Sequence, residues 1–475
     1  MLTRNVRPAV ARGRPVQLPA KARISSTDWI LIAAYALVLV AIALSTPLRV
    51  PEIVAIAWLR EYTWDWFWTW TSRALDPSPV GYFVQLPFVL LFGASRLGPR
   101  IPAILFAAAS CVLFLKLAAR ALPARRYAAL VLFMLFPLQL LTATATTQNA
   151  AATFFVILAT IAFFNLAARP GYKTAGLFTL ATAACLFTDH HAFLPVCGVM
   201  AFLLRFSAGR SERKALWFAL GACAAAAGCY APYYVWVHGQ TSPFWPVESG
   251  ISVTALTKLT GLDALLAAAV VLIIAGIIAG AIVSFRISPE QITRPLMLFC
   301  LFGSVVLTLA FLLAISLYTN SPISNRDLLY AVPAAVILFI AALDWLSRSR
   351  IASLAATILA WALIVVCALA DVHFVLAPKQ DLALESRYVA PELTGDSCVV
   401  FVSENYSKPM FLVFRPELDA RECHEFFHHR IVLASHPGVR PDQQDDAESY
   451  FHGLNYREVK RIRSGGGQIV VMEGK

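Results

Sequence analysis

Residues 29–52 read WILIAAYALVLVAIALSTPLRVPE, an apolar run from Trp29 to Leu44 followed by a short polar stretch that ends in Glu52. Six basic residues precede the run and no small-residue cleavage site follows it. The stretch therefore predicts a first membrane span with a cytoplasmic N-terminus, and not a removed signal peptide.

The composition extends this prediction to most of the chain. Of 475 residues, 59% are hydrophobic and 14% are charged, and the mean hydropathy is +0.67. Soluble domains carry about 25% charged residues, so a soluble enzyme, a disordered protein and a disulfide-rich secreted scaffold are excluded. The net charge of +11 is explained by basic residues on one side of a membrane and indicates no nucleic-acid partner.

The apolar run at 80–94 decides the predicted topology. It has about 15 residues and contains Pro87, so we interpret it as a juxtamembrane or re-entrant segment and not as a span. The predicted cytoplasmic segments then hold 19 Lys and Arg, and the outer loops hold seven. The eleven spans predicted in this way are 29–44, 101–119, 127–143, 149–168, 174–188, 192–206, 215–236, 262–285, 295–317, 327–346 and 351–371.

This topology predicts an α-helical polytopic membrane protein in three parts. Residues 1–28 form a cytoplasmic tail, 29–371 form the membrane module with a first outer loop at 45–100, and 376–475 form a small outer α/β domain. In that domain we predict a strand at 398–403, a helix at 442–454 and a hairpin of 456–463 with 468–472. If the domain lies outside the cytoplasm, Cys398 and Cys423 could form a disulfide.

Candidate functional residues gather on the predicted outer face. Glu52 follows the first span at the membrane boundary, where low polarity predicts a raised pKa. The same loop carries Asp76 and a cluster of tryptophans, which predict juxtamembrane helices and act either as an interfacial anchor or as a wall for a lipid-linked substrate. The clustered tryptophans are Trp58, Trp64, Trp66, Trp68 and Trp70.

The order of several short motifs resembles a known family. After Glu52 come Asp76-Pro-Ser-Pro-Val-Gly-Tyr82, Arg100-Ile-Pro-Ala103, Phe136-Pro137, Thr188-Asp189-His190-His191 and Asn325-Arg326-Asp327-Leu-Leu-Tyr330. Over residues 29–346 this order is similar to that of the GT-C membrane glycosyltransferases, in the branch of aminoarabinose transferases and protein O-mannosyltransferases. The chain departs from the family where Pro51 occupies the position of the first of two acids.

The resemblance implies inverting transfer of a sugar from a polyprenyl-phosphate carrier to a hydroxyl of a lipid, glycan or protein. It places the reaction at the periplasmic face of a bacterial inner membrane. A hydroxyl acceptor needs a base, predicted to be Glu52 with Asp76 second, and the departing phosphate needs cations or donors. Exchange of Glu52 for Gln is expected to abolish transfer with folding intact. The residues predicted to bind substrate are Arg326, His190, His191, Asp189, Arg49 and Tyr82.

Alternatives remain for several of these assignments. Arg326 could be an interfacial anchor, and the two histidines could cap a turn. No cofactor is predicted firmly, a divalent cation stays open, and His424 with His428 form a weaker zinc candidate. Asp371 is expected to mark the end of the last span. The whole chain could instead be a transporter or flippase, or a catalytically silent scaffold, although mid-span positions are almost free of ionisable residues.

Overall fold

The computed structural model describes residues 24–49, 52, 53, 56, 59, 79–146, 148–196, 210–240, 293–319, 328–347, 350–376, 382–393, 396–402, 411–423, 430–435, 441–464 and 467–474. Its helices are α1 (Ser26–Ser45), α2 (Pro79–Phe92), α3 (Ile101–Ala121), α4 (Arg126–Met134), α5 (Pro137–Ala143), α6 (Asn149–Ala168), α7 (Tyr172–Thr188), α8 (Arg210–Gln240), α9 (Thr293–Thr319), α10 (Val332–Leu346), α11 (Arg350–Leu376), α12 (Leu382–Glu392) and α13 (Pro441–Gly453). The strands are β1 (Ser397–Phe401), β2 (Arg430–Ser435), β3 (Tyr456–Ser464) and β4 (Gly467–Gly474).

The first span begins at a capping box. The Asp28 backbone N–H donates to Ser25 Oγ at 3.3 Å, and the Ser25 backbone N–H donates to Asp28 Oδ2 at 2.7 Å. This reciprocal pair satisfies backbone donors that the first turn of a helix leaves open. The helix then continues through the quoted apolar run to Ser45, as predicted.

Several predicted spans are present as helices. Within the described chain, four stretches are long and apolar enough to cross a membrane: Ser26–Ser45, Gly98–Ala121, Asn149–Ala168 and Leu354–Val372. The helices α7, α8 and α9 overlap the predictions at 174–188, 215–236 and 295–317. The predicted span 262–285, and the part of 192–206 beyond 196, lie outside the described residues. The count of eleven therefore stays a prediction.

Two predicted spans differ in detail from the structure. The segment 127–143 is not one helix: α4 and α5 meet at an angle of 58°, because Pro137 cannot donate to the preceding turn and starts a new helix. In the segment 327–346, Leu328 and Leu329 are helical and Tyr330 and Ala331 form a turn. Helix α10 begins after this turn at Val332, with Pro333 in its first turn.

Ion pairs mark the end of the helices that was predicted to be cytoplasmic. Arg126 Nη2 lies 3.9 Å from Asp28 Oδ1, and Arg125 Nε lies 3.4 Å from Asp344 Oδ1. These contacts join the start of α1, the start of α4 and the end of α10. At the opposite ends of α1 and α10 lie residues of the candidate site: Arg100 binds carbonyls at the end of α1, and Tyr330 precedes α10.

The C-terminal strands form one sheet in the order β1-β2-β4-β3. Strand β1 pairs with β2 in parallel, and β4 pairs antiparallel with both β2 and β3. The predicted first strand, helix and hairpin agree with β1, α13 and β3–β4, whereas β2 and α12 were not predicted. Cys398 and Cys423 form a disulfide, as suggested from an outer location.

The two faces of this sheet have different partners. Cys398, Ile431, Leu433 and Met472 point to one side, where they pack with Phe451 of α13. Alternate residues point to the other side and pack against apolar residues of the first outer loop. Those sheet residues are Val399, Phe401, Val432, Ala434 and Ile469, and their partners in the loop are Leu48, Ile53, Ile56, Leu59 and Val89.

Candidate functional site

A buried ion pair joins Glu52 to Arg100. Arg100 Nη2 donates to Glu52 Oε2 at 2.7 Å and Nε donates to Oε1 at 2.9 Å, the bidentate geometry that a guanidinium forms with a carboxylate. The two side chains are 0% and 2% exposed. Residues 48 positions apart in the chain are therefore locked together away from water.

Arg100 also closes the end of α1. Its Nη1 donates to the carbonyl oxygens of Ala43 at 3.0 Å and Thr46 at 2.9 Å, and its Nη2 donates to the Pro47 carbonyl at 2.7 Å. Ala43 lies in the last turn of α1, and Thr46 and Pro47 follow it, so these carbonyls have no partner within the helix. The guanidinium thus connects the end of the first span to the start of α3.

The remaining hydrogen-bonding capacity of Glu52 is also used. Oε1 accepts the backbone N–H of Thr146 at 2.8 Å and its hydroxyl at 3.1 Å, and Oε2 accepts the backbone N–H of Arg49 at 2.7 Å. Burial raises the pKa of this carboxyl, but the hydrogen bonds and charge of Arg100 outweigh it, so the pKa lies below its usual value. The expected raised pKa is wrong, because the prediction did not include a buried cation.

Local sequence sets the position of Arg100. A 3₁₀ turn, Gly98–Arg100, leads into α3 with prolines at 99 and 102. Gly98 lies so close to α2 that a Cβ placed on it would be 2.1 Å from Phe92 Cβ. Only glycine fits this approach, which sets the turn directly against the end of α2.

A second buried polar cluster contains Asp189. The Tyr330 hydroxyl donates to Asp189 Oδ2 at 2.6 Å, and its oxygen lies 3.3 Å from Asn149 Oδ1. Asp189 Oδ1 accepts the backbone N–H of His191 at 2.8 Å and lies 3.8 Å from His191 Nδ1. The cluster joins the end of α7 to the starts of α6 and α10.

The loop between α5 and α6 connects the two clusters. Thr146 binds Glu52, and three positions later Asn149 contacts Tyr330. Nearby, Gln148 is 6% exposed and its Nε2 has no hydrogen-bond partner among the described residues. An uncharged polar loop with a buried free donor can bind a neutral or anionic group.

The structure describes some of the other predicted site residues and not the rest. Arg49 contributes its backbone N–H and a favourable charge to Glu52. His190 lies in the 3₁₀ turn His190–Ala192 and Tyr82 lies in α2, but the side chains of both are outside the described part. Asp76, Arg326, His424 and His428 also lie outside the described residues. The role of Arg326 in substrate binding stays a prediction.

Sequence reasoning missed Arg100, Thr146, Asn149 and Tyr330 as members of the site. Arg100 and Tyr330 stood inside quoted motifs, so their presence next to the selected acids was a usable signal. Thr146 and Asn149 belong to an uncharged turn and gave no such signal. Among the described residues, no group of three or more His, Cys, Asp or Glu side chains is arranged to hold a metal ion.

Comparison with solved structures identifies the fold of the chain. No family model matches the chain, and no curated protein is similar to it in sequence. Solved structures match it throughout, and they show that the chain has the GT-C fold of membrane glycosyltransferases at low identity. The predicted fold class is therefore confirmed.

Among these structures is ArnT from Cupriavidus metallidurans in the apo state, with a TM-score of 0.54 at 13% identity over 94% of this chain and 98% of that one. ArnT from the same organism bound to undecaprenyl phosphate aligns with a TM-score of 0.55 at 13% identity and the same coverage. Arabinofuranosyltransferase AftD from Mycobacteria aligns with a TM-score of 0.51 at 16% identity over 96% of this chain and 42% of that one.

Proposed function

We propose that this protein is an inverting glycosyltransferase that moves a sugar from a polyprenyl phosphate to an acceptor hydroxyl. The acceptor would be an envelope lipid, a glycan or a protein, at the periplasmic face of a bacterial inner membrane. The observation that carries the proposal is the convergence of two buried polar clusters at one end of a GT-C bundle. A structural neighbour, ArnT, binds undecaprenyl phosphate, which supports a polyprenyl carrier.

The location of the two clusters suits an amphipathic substrate. The polyprenyl chain would stay among the apolar helices, while the phosphate and sugar would reach the polar helix ends. Arg326 is proposed to bind the phosphate, because a guanidinium matches phosphate oxygens. His190, His191 and Asp189 are proposed to contact the sugar or phosphate. Tyr330, four positions after Arg326 in the sequence, binds Asp189.

The surroundings of Glu52 bear on the identity of the base. Both of its oxygens are occupied, it is paired with Arg100, and its pKa is lowered. A carboxylate in this state is a weak proton acceptor. We therefore propose Asp76 as the base and Glu52 as a positioning residue that orders the first outer loop, with Arg49 and Tyr82 assisting it. Removal of the Arg100 contact would be needed for Glu52 to take the proton itself.

The decisive experiment compares glycans on envelope lipids and proteins from cells with and without the gene. A sugar that disappears and returns on complementation supports the proposal, and unchanged glycans contradict it. Complementation with Asp76→Asn and Arg326→Ala should fail at wild-type protein levels. Asp344→Asn, which removes a carboxylate at the opposite end of the helices, should complement fully. If the protein were a catalytically silent scaffold, all three variants would complement the cells without the gene.

An assay with purified protein in liposomes separates transfer from transport. A transporter or flippase moves its lipid without making or breaking a glycosidic bond, so purified protein in liposomes would yield no glycosylated product from a lipid-linked sugar. The Glu52 and Asp189 clusters lie at helix ends, whereas transporter sites lie near the bilayer midplane. This distribution favours the transferase.

A further inference from the structure

A groove between the helices shares no lining residue with the two polar clusters. It has a volume of about 600 Å³ and is formed by one face of α1, the junction of α4 with α5, and the last turns of α11. The volume is within the range of small-molecule sites. Met134, Leu135 and Leu140 flank the 58° break in this wall, so the groove lies where the bent helix pair interrupts regular packing.

The groove is apolar except for two side chains. Its walls are built from Leu, Ala, Val, Ile and Met, together with Tyr35 of α1 and Asp371 of α11. Tyr35 is 7% exposed and Asp371 is 8% exposed. The hydroxyl of Tyr35 and both carboxyl oxygens of Asp371 have no hydrogen-bond partner among the described residues. Burial of three polar atoms without partners costs free energy, and a polar group placed in the groove would offset that cost.

Asp371 lies one residue before the end of the apolar stretch Leu354–Val372, as was expected. Helix α11 continues to Leu376, and the Asp371 carboxyl faces the groove. Buried carboxyl groups usually have a hydrogen-bond partner. Among the described residues, Tyr35 is the polar group that lies near Asp371 in the groove.

The mouth of the groove opens toward lipid. Val38 and Val372 both line it and are 52% and 53% exposed. Other residues of α1 and α11, such as Leu37 and Leu369, are exposed hydrophobics on the same two helices. A ligand would therefore enter sideways from the bilayer and not from water.

We infer that this groove binds a membrane lipid whose hydrocarbon chain carries a hydroxyl group. The hydroxyl donates to one carboxyl oxygen of Asp371 and accepts a hydrogen bond from the Tyr35 hydroxyl, so one group contacts the polar side chains of both walls. The chain fills the apolar remainder. A hydroxyl fits because it is both donor and acceptor. The site shares no residue with the Glu52 and Asp189 clusters, and the inference goes beyond the proposed transfer reaction.

The test measures equilibrium binding to the full-length protein in phosphatidylcholine nanodiscs, with no sugar donor present. The probes are radiolabelled octadecane and an octadecanol with its hydroxyl at mid-chain. The alcohol should bind at least about tenfold more tightly, because hydrogen bonds in a dry groove change affinity by about that factor. Equal affinity for the two probes would overturn the inference.

Point variants test whether the preference for the alcohol depends on Tyr35 and Asp371. Tyr35→Phe and Asp371→Leu should each reduce the preference for the alcohol while retaining alkane binding, and Ala368→Phe should block both probes by filling the groove. Tyr172→Phe, which removes a hydroxyl from a residue that is 87% exposed, should behave as wild type. A preference that survives in both polar variants contradicts the inference.

Two other occupants have distinct outcomes. A polyleucine helix with a central lysine that binds through Asp371, with no alcohol preference, would assign the groove to a partner helix. Self-association of the chain that depends on Asp371 would assign it to a second copy. Either result overturns the lipid assignment. Because no donor is used, failure here leaves the glycosyltransferase proposal standing, and failure of transfer leaves this site standing.

Discussion

At the scale of single residues, the Glu52–Arg100 pair dominates the described site. Exchange of Glu52 for Gln would leave a buried guanidinium without a counter-charge, so the expectation that folding stays intact is not supported by the geometry. We expect Glu52→Gln to lower the free energy of unfolding by about 3–5 kcal/mol, measured by denaturant titration of the purified protein. The double variant Glu52→Gln/Arg100→Gln should recover part of this loss. Equal losses in the single and double variants would exclude a buried ion pair.

The same pair predicts a pH dependence. The pKa of Glu52 is lowered from 4.5, so its contribution to stability is complete above that value and is lost as pH falls through the lower folded-state pKa. The stability difference between wild type and Glu52→Gln should therefore be constant near neutral pH and shrink below pH 4.5. Thermal unfolding across a pH series measures it. A difference that grows on acidification would contradict the lowered pKa.

Tyr330 provides a second test at this scale. Tyr330→Phe keeps the buried ring and removes the hydroxyl that donates to Asp189 at 2.6 Å. Loss of a partner from a buried carboxylate costs about 1–3 kcal/mol, and we expect sugar transfer to fall with it because Asp189 loses its orientation. Tyr172→Phe, at an exposed position, is the matched control. Wild-type transfer by Tyr330→Phe would remove this cluster from the proposed mechanism.

At the scale of elements, close approach of α2 to the 3₁₀ turn at 98–100 sets the position of Arg100. Gly98→Ala would bring a Cβ to 2.1 Å from Phe92 Cβ, so the turn must shift and the contacts of Arg100 must lengthen. We expect lower stability and lower transfer together. Gly176→Ala in α7, where nothing lies within 4 Å of the added Cβ, should be neutral or stabilising by up to about 1 kcal/mol. Similar behaviour of the two variants would contradict the close approach.

At the scale of the whole molecule, the C-terminal sheet covers the loop that carries Glu52. Phe401 is 4% exposed on the face that meets the loop, whereas Met472 is 0% exposed on the opposite face. Truncation of either to alanine should destabilise the sheet by about 2–5 kcal/mol. Only Phe401→Ala should increase hydrogen exchange in the peptide 46–53, as measured by mass spectrometry. Equal exchange in both variants would mean that the sheet does not support the loop.

Some elements of the fold follow from local sequence, and others do not. Local composition was sufficient for the first span, for α6 at 149–168 and for the hairpin β3–β4, because apolar length and alternation are read from neighbouring residues. It also placed the acids and the late Tyr330 motif at the predicted outer ends. The break at Pro137 was visible as a proline, but its effect on the span was not predicted. Strand β2 was missed because Ile431–Ala434 is a short apolar run without alternation.

What only the tertiary structure decided is which residues meet. The pattern of the first loop could not reveal that Glu52 binds Arg100 rather than a substrate, that Thr146 completes its hydrogen bonds, or that Asp371 shares a groove with Tyr35. These contacts join positions 48, 94 and more than 300 residues apart. Periodicity sets how deep a residue lies and which face it occupies, whereas its partners depend on the order, tilt and bending of helices, which follow from packing of the entire chain.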